Sequence, residues 1–267
     1  MRVGFFATCL VDLVRPRVGL AAVSLLEAAG CDVVVPRGQT CCGQPAYNAG
    51  ARDGAVALAR QTVLAFADAD VAYIVVPSGS CAAVLRRHYP ELLAGDPDMA
   101  GPAKKFSSKV YELTAFLADI LDIAHLPEGT PGKAPRRIAY HDACAGLREL
   151  GIREAPRRLL EKIPDLDVAT LAEDEICCGF GGAFCAKFPE ISERLATDKC
   201  RAAEKEGATE LTGGDLGCLL HLAGRLQDQG SGLRVRHVAE ILAGLDDGPA
   251  IGEPASGEPT AFKQAQD

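Results

Sequence analysis

The chain has 267 residues, 48% of them hydrophobic and 24% charged, the balance of a globular protein with room for one large domain or two ordinary ones. Lys plus Arg number 28 against 36 Asp plus Glu, a net charge of −8; no long basic run occurs, which argues against a nucleic-acid-binding surface. Eleven cysteines with no export signal point to metal or redox chemistry rather than to a disulfide-stapled secreted fold.

In chain order, Val3–Leu10 is apolar but ends at Asp12. It is too short for a membrane span and no small-residue cleavage site follows. No other window reaches spanning length, so a cytoplasmic protein without a membrane span is expected. Arg2-Val-Gly-Phe-Phe-Ala reads as a buried strand ending at Cys9. An amphipathic helix over about 17–29 leads to a second strand at Asp32-Val-Val-Val and a turn at Cys41-Cys42-Gly43. An Ala-rich helix over about 51–67 precedes a third strand, Ala72-Tyr-Ile-Val-Val, which runs into Pro77-Ser-Gly-Ser-Cys81. Residues 95–102 read as a loop insertion, and a short strand and helix over 109–121 close the half. The Pro/Gly-rich stretch 127–135 is a linker.

The second half repeats the first. Cys9 and Cys144 are 135 residues apart, Cys41 and Cys177 are 136 apart, Cys42 and Cys178 are 136 apart, and Cys81 and Cys218 are 137 apart. Gly43 and Gly179 follow their cysteine pairs at the same separation. Eight cysteines thus form two copies of one pattern, the signature of internal duplication. Strand patterns at Arg137-Ile-Ala-Tyr, Asp167-Val-Ala-Thr-Leu and Thr209-Glu-Leu-Thr, and a closing strand and helix over 235–245, occupy the matching places. Strands alternating with helices predict an α/β fold of two tandem Rossmann-like parallel-sheet lobes, related by a pseudo-twofold. The first should span residues 1–127 and the second 136–246. Residues 247–267 form a polar tail with nothing to bury, expected to be disordered.

Ligand sites in open parallel sheets form beyond the carboxyl ends of the strands. Cys9, Cys41, Cys42 and Cys81 each follow a strand at that end, and Cys144, Cys177, Cys178 and Cys218 do the same in the second copy. Adjacent cysteines, with Cα atoms about 3.8 Å apart, fall below the usual disulfide range and suit a metal centre. The following glycines, Gly43 and Gly179, allow unusual dihedrals and close approach, and Gly179-Phe-Gly-Gly182 offers amide donors to sulfur. Four soft thiolates per copy indicate an iron–sulfur cluster or zinc. The absence of paired Cys-x-x-Cys knuckles favours iron–sulfur and leaves zinc as the runner-up, with a thiol redox centre behind both.

These motifs resemble the tandem CCG cysteine-rich domains found in heterodisulfide reductases and in the iron–sulfur subunit of glycolate oxidase. Pro77-Ser-Gly-Ser-Cys81, Tyr140-His-Asp-Ala-Cys144, Leu147-Arg-Glu-Leu-Gly-Ile152, Cys177-Cys-Gly-Phe-Gly-Gly182 and Gly214-Asp-Leu-Gly-Cys218 are similar to the lactate utilization protein A family. The resemblance covers about residues 1–245. It implies an iron–sulfur electron-transfer subunit, with one [4Fe–4S] cluster per lobe, in a system oxidising L-lactate to pyruvate. Its partners would be a ferredoxin-like iron–sulfur protein and a third small protein. The full CCG motif ends in Cys-x-x-Cys, giving five cysteines per copy. Here Ser78 and Asp215 replace the first cysteine of that pair, leaving four thiolates. A disulfide reductase and a zinc-stabilised interaction protein are the alternative functions.

Other residues carry weaker signals. Ser78 and Asp215 are read first as helix caps, with oxygen ligation as the alternative. His141 either tunes the second centre or is an ordinary hydrogen-bonded histidine, and His221 carries less weight. Asp142 and Arg148 either orient the second site or form ordinary ion pairs. Cys31, Cys185 and Cys200 read as structural thiols. No catalytic residue is identifiable.

Overall fold

A computed structural model describes residues 1–127, 135–171 and 175–254. Most of the linker 127–135 and the last residues of the tail, 255–267, lie outside the described residues. Two four-stranded parallel sheets form, as the alternating strand and helix patterns require. The first comprises β1 (Arg2–Phe5), β2 (Asp32–Val34), β3 (Tyr73–Val76) and β4 (Val110–Glu112) in the order β2-β1-β3-β4. The second comprises β5 (Arg136–His141), β6 (Leu166–Ala169), β7 (Glu210–Gly213) and β8 (Arg234–His237) in the order β6-β5-β7-β8. The registers match too, with Val3 paired to Val33 and Tyr73, and Ile138 to Val168 and Glu210. Winding reverses between β1 and β3, and again between β5 and β7, which puts each switch point beside the cysteines.

Period-two alternation divides the first sheet between two cores. Val3, Phe5 and Val75 pack against helix Pro16–Ala28 in a cluster continuous with the second lobe. Phe6, Ile74 and Val76 face helix Arg52–Ala65, Tyr89, Met99 and Phe106. The stretch 95–102 is not a plain loop. Met99 is buried and precedes helix Ala100–Ser108, which closes this second core.

Contacts between the lobes are reciprocal, as a pseudo-twofold demands. Helix Gly79–Ala83 of the first lobe packs on Cys144–Leu150 of the second, and the counterparts Leu216–Asp228 and Cys9–Val14 also meet. The first of these contacts is close: a Cβ on Gly79 would lie 3.1 Å from the Gly146 Cα.

The start of the tail departs from expectation. Ala250 and Ile251 are buried, and the Ile251 amide donates to the Val235 carbonyl at 2.8 Å, extending the edge of the second sheet. Arg15 of the first lobe donates to Glu240 at 2.9 Å and to the Pro249 carbonyl at 2.8 Å. Arg17 donates to the Leu245 carbonyl at 2.8 Å and pairs with Asp247. Residues 247–254 are therefore not disordered. They strap both lobes together, a role invisible in a polar, Gly/Pro-rich composition.

Candidate metal centres

In each lobe four cysteines converge at the carboxyl end of the sheet. Cys9 and Cys144 are the first residues of helices that follow β1 and β5. The pairs Cys41-Cys42 and Cys177-Cys178 lie in the loops after β2 and β6. Cys81 and Cys218 sit in helices Gly79–Ala83 and Leu216–Asp228, which follow β3 and β7. The thiols touch in sequence, Cys9 to Cys41 to Cys42 to Cys81 and Cys144 to Cys177 to Cys178 to Cys218. Cys42 and Cys81 Sγ are 3.2 Å apart, a thiol contact well beyond a disulfide bond length of about 2.05 Å. All eleven cysteines are free thiols.

The electrostatics fit a site built for cations. Hydrogen bonds from Cys42 and Cys9 push the Cys41 thiol far down, and those from Cys144 and Cys178 do the same for Cys177. Their neighbours are pushed up: Cys42 and Cys178 by bonding to Cys41 and Cys177, then by Cys81 and Cys218 and by burial. Four thiolates in one half-buried crevice repel one another, so the full set ionises only around bound positive charge.

The turn glycines hold the sulfurs in place. Gly43 and Gly179 adopt φ of +85° and +89°, and a Cβ on Gly179 would sit 2.4 Å from the Ser192 carbonyl oxygen. This left-handed turn aims two amides at sulfur: Gly179 N–H donates to Cys177 Sγ at 3.3 Å and Phe180 N–H to Cys178 Sγ at 3.5 Å. Ser192 donates to the Gly179 carbonyl at 2.8 Å, and His221 Nε2 lies 3.0 Å from the same hydroxyl. His221 thus braces the turn through Ser192, which sequence spacing could not reveal.

Ser78 and Asp215 face each other across the lobe boundary. Ser78 Oγ donates to Asp215 Oδ2 at 3.0 Å, and the Ser80 amide donates to the same oxygen at 2.9 Å. Ser78 also caps its own helix by accepting from the Cys81 amide. Asp215 caps nothing with its side chain, because that oxygen serves the other lobe. Nearby, the Gly79 amide donates to the Gly214 carbonyl at 3.2 Å.

Most other candidates resolve into supports. Asp142 forms a two-oxygen pair with Arg157 at 2.9 and 2.6 Å, and that guanidinium stacks over Tyr140. Arg148 donates to the Glu175 carbonyl at 2.9 Å. Cys31 and Cys200 are buried in the apolar core, and Cys185 donates to the Gly182 carbonyl at 3.1 Å. His141 is fully buried beside Cys178 and Cys218; burial first, then the Lys199 ammonium, lower it to about 3, leaving a neutral imidazole.

A group absent from the sequence reading is Glu112, at the end of β4. It lies on a small cavity between the lobes with Gly79, Tyr140, Gly146 and Gly214. Oε2 accepts from the Thr114 amide and hydroxyl and from the Ala115 amide. Burial outweighs these bonds and pushes the carboxyl up to about 7. The folded protein therefore holds this proton more tightly than the unfolded chain. The group's contribution is fully present below the unfolded value, near 4.5, and is lost as pH rises towards 7. Unfolding free energies from urea titrations between pH 5 and 7.5 should fall with pH, by an upper bound on the order of 3 kcal/mol. Glu112→Gln should flatten that slope; an unchanged slope would exclude Glu112 as its source.

Parallel-sheet lobes in tandem, each gathering four thiols at its strand ends, define a class of duplicated cysteine-rich proteins. The CCG cysteine-rich domain model matches residues 3–86 and 138–223. Proteins named lactate utilization protein A are similar along 91% of this chain. That of Geobacillus kaustophilus is 46% identical with 98% of its length covered, and that of Oceanobacillus iheyensis 41% identical with 96% covered. The chain belongs to the lactate utilization protein A family of tandem CCG-domain proteins. A hypothetical protein from Helicobacter pylori shares the fold at a TM-score of 0.66 and 12% identity, over 96% of this chain and half the length of that one. Among the described residues no helix is long and apolar enough to cross a membrane.

Proposed function

We propose that the protein is an iron–sulfur electron-transfer subunit of a cytoplasmic complex that oxidises L-lactate to pyruvate. Each lobe would hold one [4Fe–4S] cluster, through Cys9, Cys41, Cys42 and Cys81 and through Cys144, Cys177, Cys178 and Cys218. The observation that carries the reading is the repeated four-thiol crevice with amide donors on its sulfurs, in a chain similar to proteins named for lactate utilization. Lactate oxidation releases two electrons and two protons. Clusters of this kind carry single electrons, to be passed on to a ferredoxin-like iron–sulfur partner, with a third small protein completing the assembly. The chain's own residues position the sulfurs, shield them in half-buried crevices and donate hydrogen bonds to them. The engagement of Ser78 with Asp215 favours four-thiolate clusters over five-donor ones that include those positions.

Anaerobically purified protein should contain about eight irons and eight sulfides per chain. Stoichiometric zinc, with no iron taken up on reconstitution, would overturn the cluster assignment in favour of a zinc-stabilised interaction protein.

A further inference from the structure

The two thiol crevices differ at one inward-facing residue. At the separation that aligns Cys9 with Cys144, His141 corresponds to Phe6. Phe6 is fully buried in the apolar cluster that includes Cys42 and Cys81. His141 is equally buried, yet neither ring nitrogen has a hydrogen-bond partner. A ring nitrogen of His141 and the Sγ atoms of Cys178 and Cys218 all lie within 4.8 Å of one another.

Leaving a buried polar group unpaired is costly, and a histidine kept for packing avoids that cost by bonding to something. The chain's other buried or half-buried histidines do so. His237 accepts from the Ala239 amide at 3.2 Å, His221 meets Ser192, and His88 meets Glu149 at 2.8 Å. The strand beside His141 differs as well. Where the first lobe has Val76 at the end of β3, the second has Gly213, and a Cβ there would come 2.9 Å from the His141 carbonyl oxygen. Helix Pro189–Lys205 adds a buried Lys199 on this side, whereas its counterpart Arg52–Ala65 buries no charged side chain.

We propose that His141 is a nitrogen ligand of the metal in the second lobe, so that a mixed thiolate–imidazole centre sits beside an all-thiolate one. This rests on the iron–sulfur reading above. Imidazole brings no negative charge, so it joins the four cysteines without adding to their mutual repulsion.

The test is pulsed electron paramagnetic resonance of reduced protein grown with ¹⁵N-labelled histidine. The Cys42→Ser protein isolates the second centre and should show a directly bonded ¹⁵N. The Cys178→Ser protein, retaining the first centre, should show none, and His141→Phe should remove the signal from the wild type. A Cys42→Ser protein that keeps its second-centre iron but lacks strong ¹⁵N coupling would overturn the proposal, whether or not His141→Phe folds. If the purified protein holds zinc instead, the iron–sulfur reading fails on its own account. Zinc-edge absorption then decides His141 separately, since a sulfur-only shell overturns the ligand and a mixed nitrogen–sulfur shell supports it.

Discussion

Cys42→Ser should remove about half of the iron from the purified protein, and Cys178→Ser should remove the other half. Each substitution takes one thiolate from a set of four, and alkoxide ligation by serine is far weaker for iron than thiolate. The sets belong to different sheets, and each is completed by cysteines that follow strands of its own lobe. Iron and sulfide assays with the visible spectrum of each variant provide the check. Loss of all the iron from either single variant would mean that the eight cysteines build one shared centre.

The second large effect concerns turnover. The isolated chain should not oxidise L-lactate with artificial electron acceptors. Removing the substrate's hydrogen requires a base that reaches the substrate, whereas the imidazole beside Cys178 and Cys218 is buried and lowered to about 3, and the other groups at the candidate centres are thiols and backbone amides. Mixing the chain with the ferredoxin-like and third partners proposed above should give turnover. In that mixture Cys178→Ser should bring the rate to background while the complex still assembles, because one carrier of electrons is gone. Lactate oxidation by the chain alone would overturn the subunit reading. Full turnover with Cys178→Ser would leave the second centre a structural part only.

Much of this architecture is legible in the amino-acid sequence. Cysteine separations of 135 to 137 residues expose the duplication, and apolar runs ending at Cys9, Cys81 and Cys144 locate the strand ends. The remainder depends on distant residues meeting. No local pattern brings Ser78 to Asp215 or Glu112 to Tyr140 and Gly214, because those neighbourhoods exist only once the lobes dock. Composition misleads at 247–254, where buried Ala250 and Ile251, the Pro249 carbonyl that accepts from Arg15 and the Asp247 carboxylate paired with Arg17 outweigh a polar, Pro/Gly-rich surrounding. His141 stands out from Phe6 once the copies are aligned, but its unpaired ring nitrogens appear only in three dimensions.

The Ser78–Asp215 bond makes the two halves non-interchangeable. In a symmetric dimer of identical lobes, each residue on the axis meets its own copy. Two copies of the first lobe would set serine against serine. Two copies of the second would bury two aspartates together, with like charges and too few donors to satisfy them. The serine–aspartate pair is available only to a covalent or heteromeric union of unlike halves. Whatever ancestor paired with itself, this chain has exchanged that freedom for an obligate left and right, and swapping its lobes for duplicates of either one would break the seam at its centre.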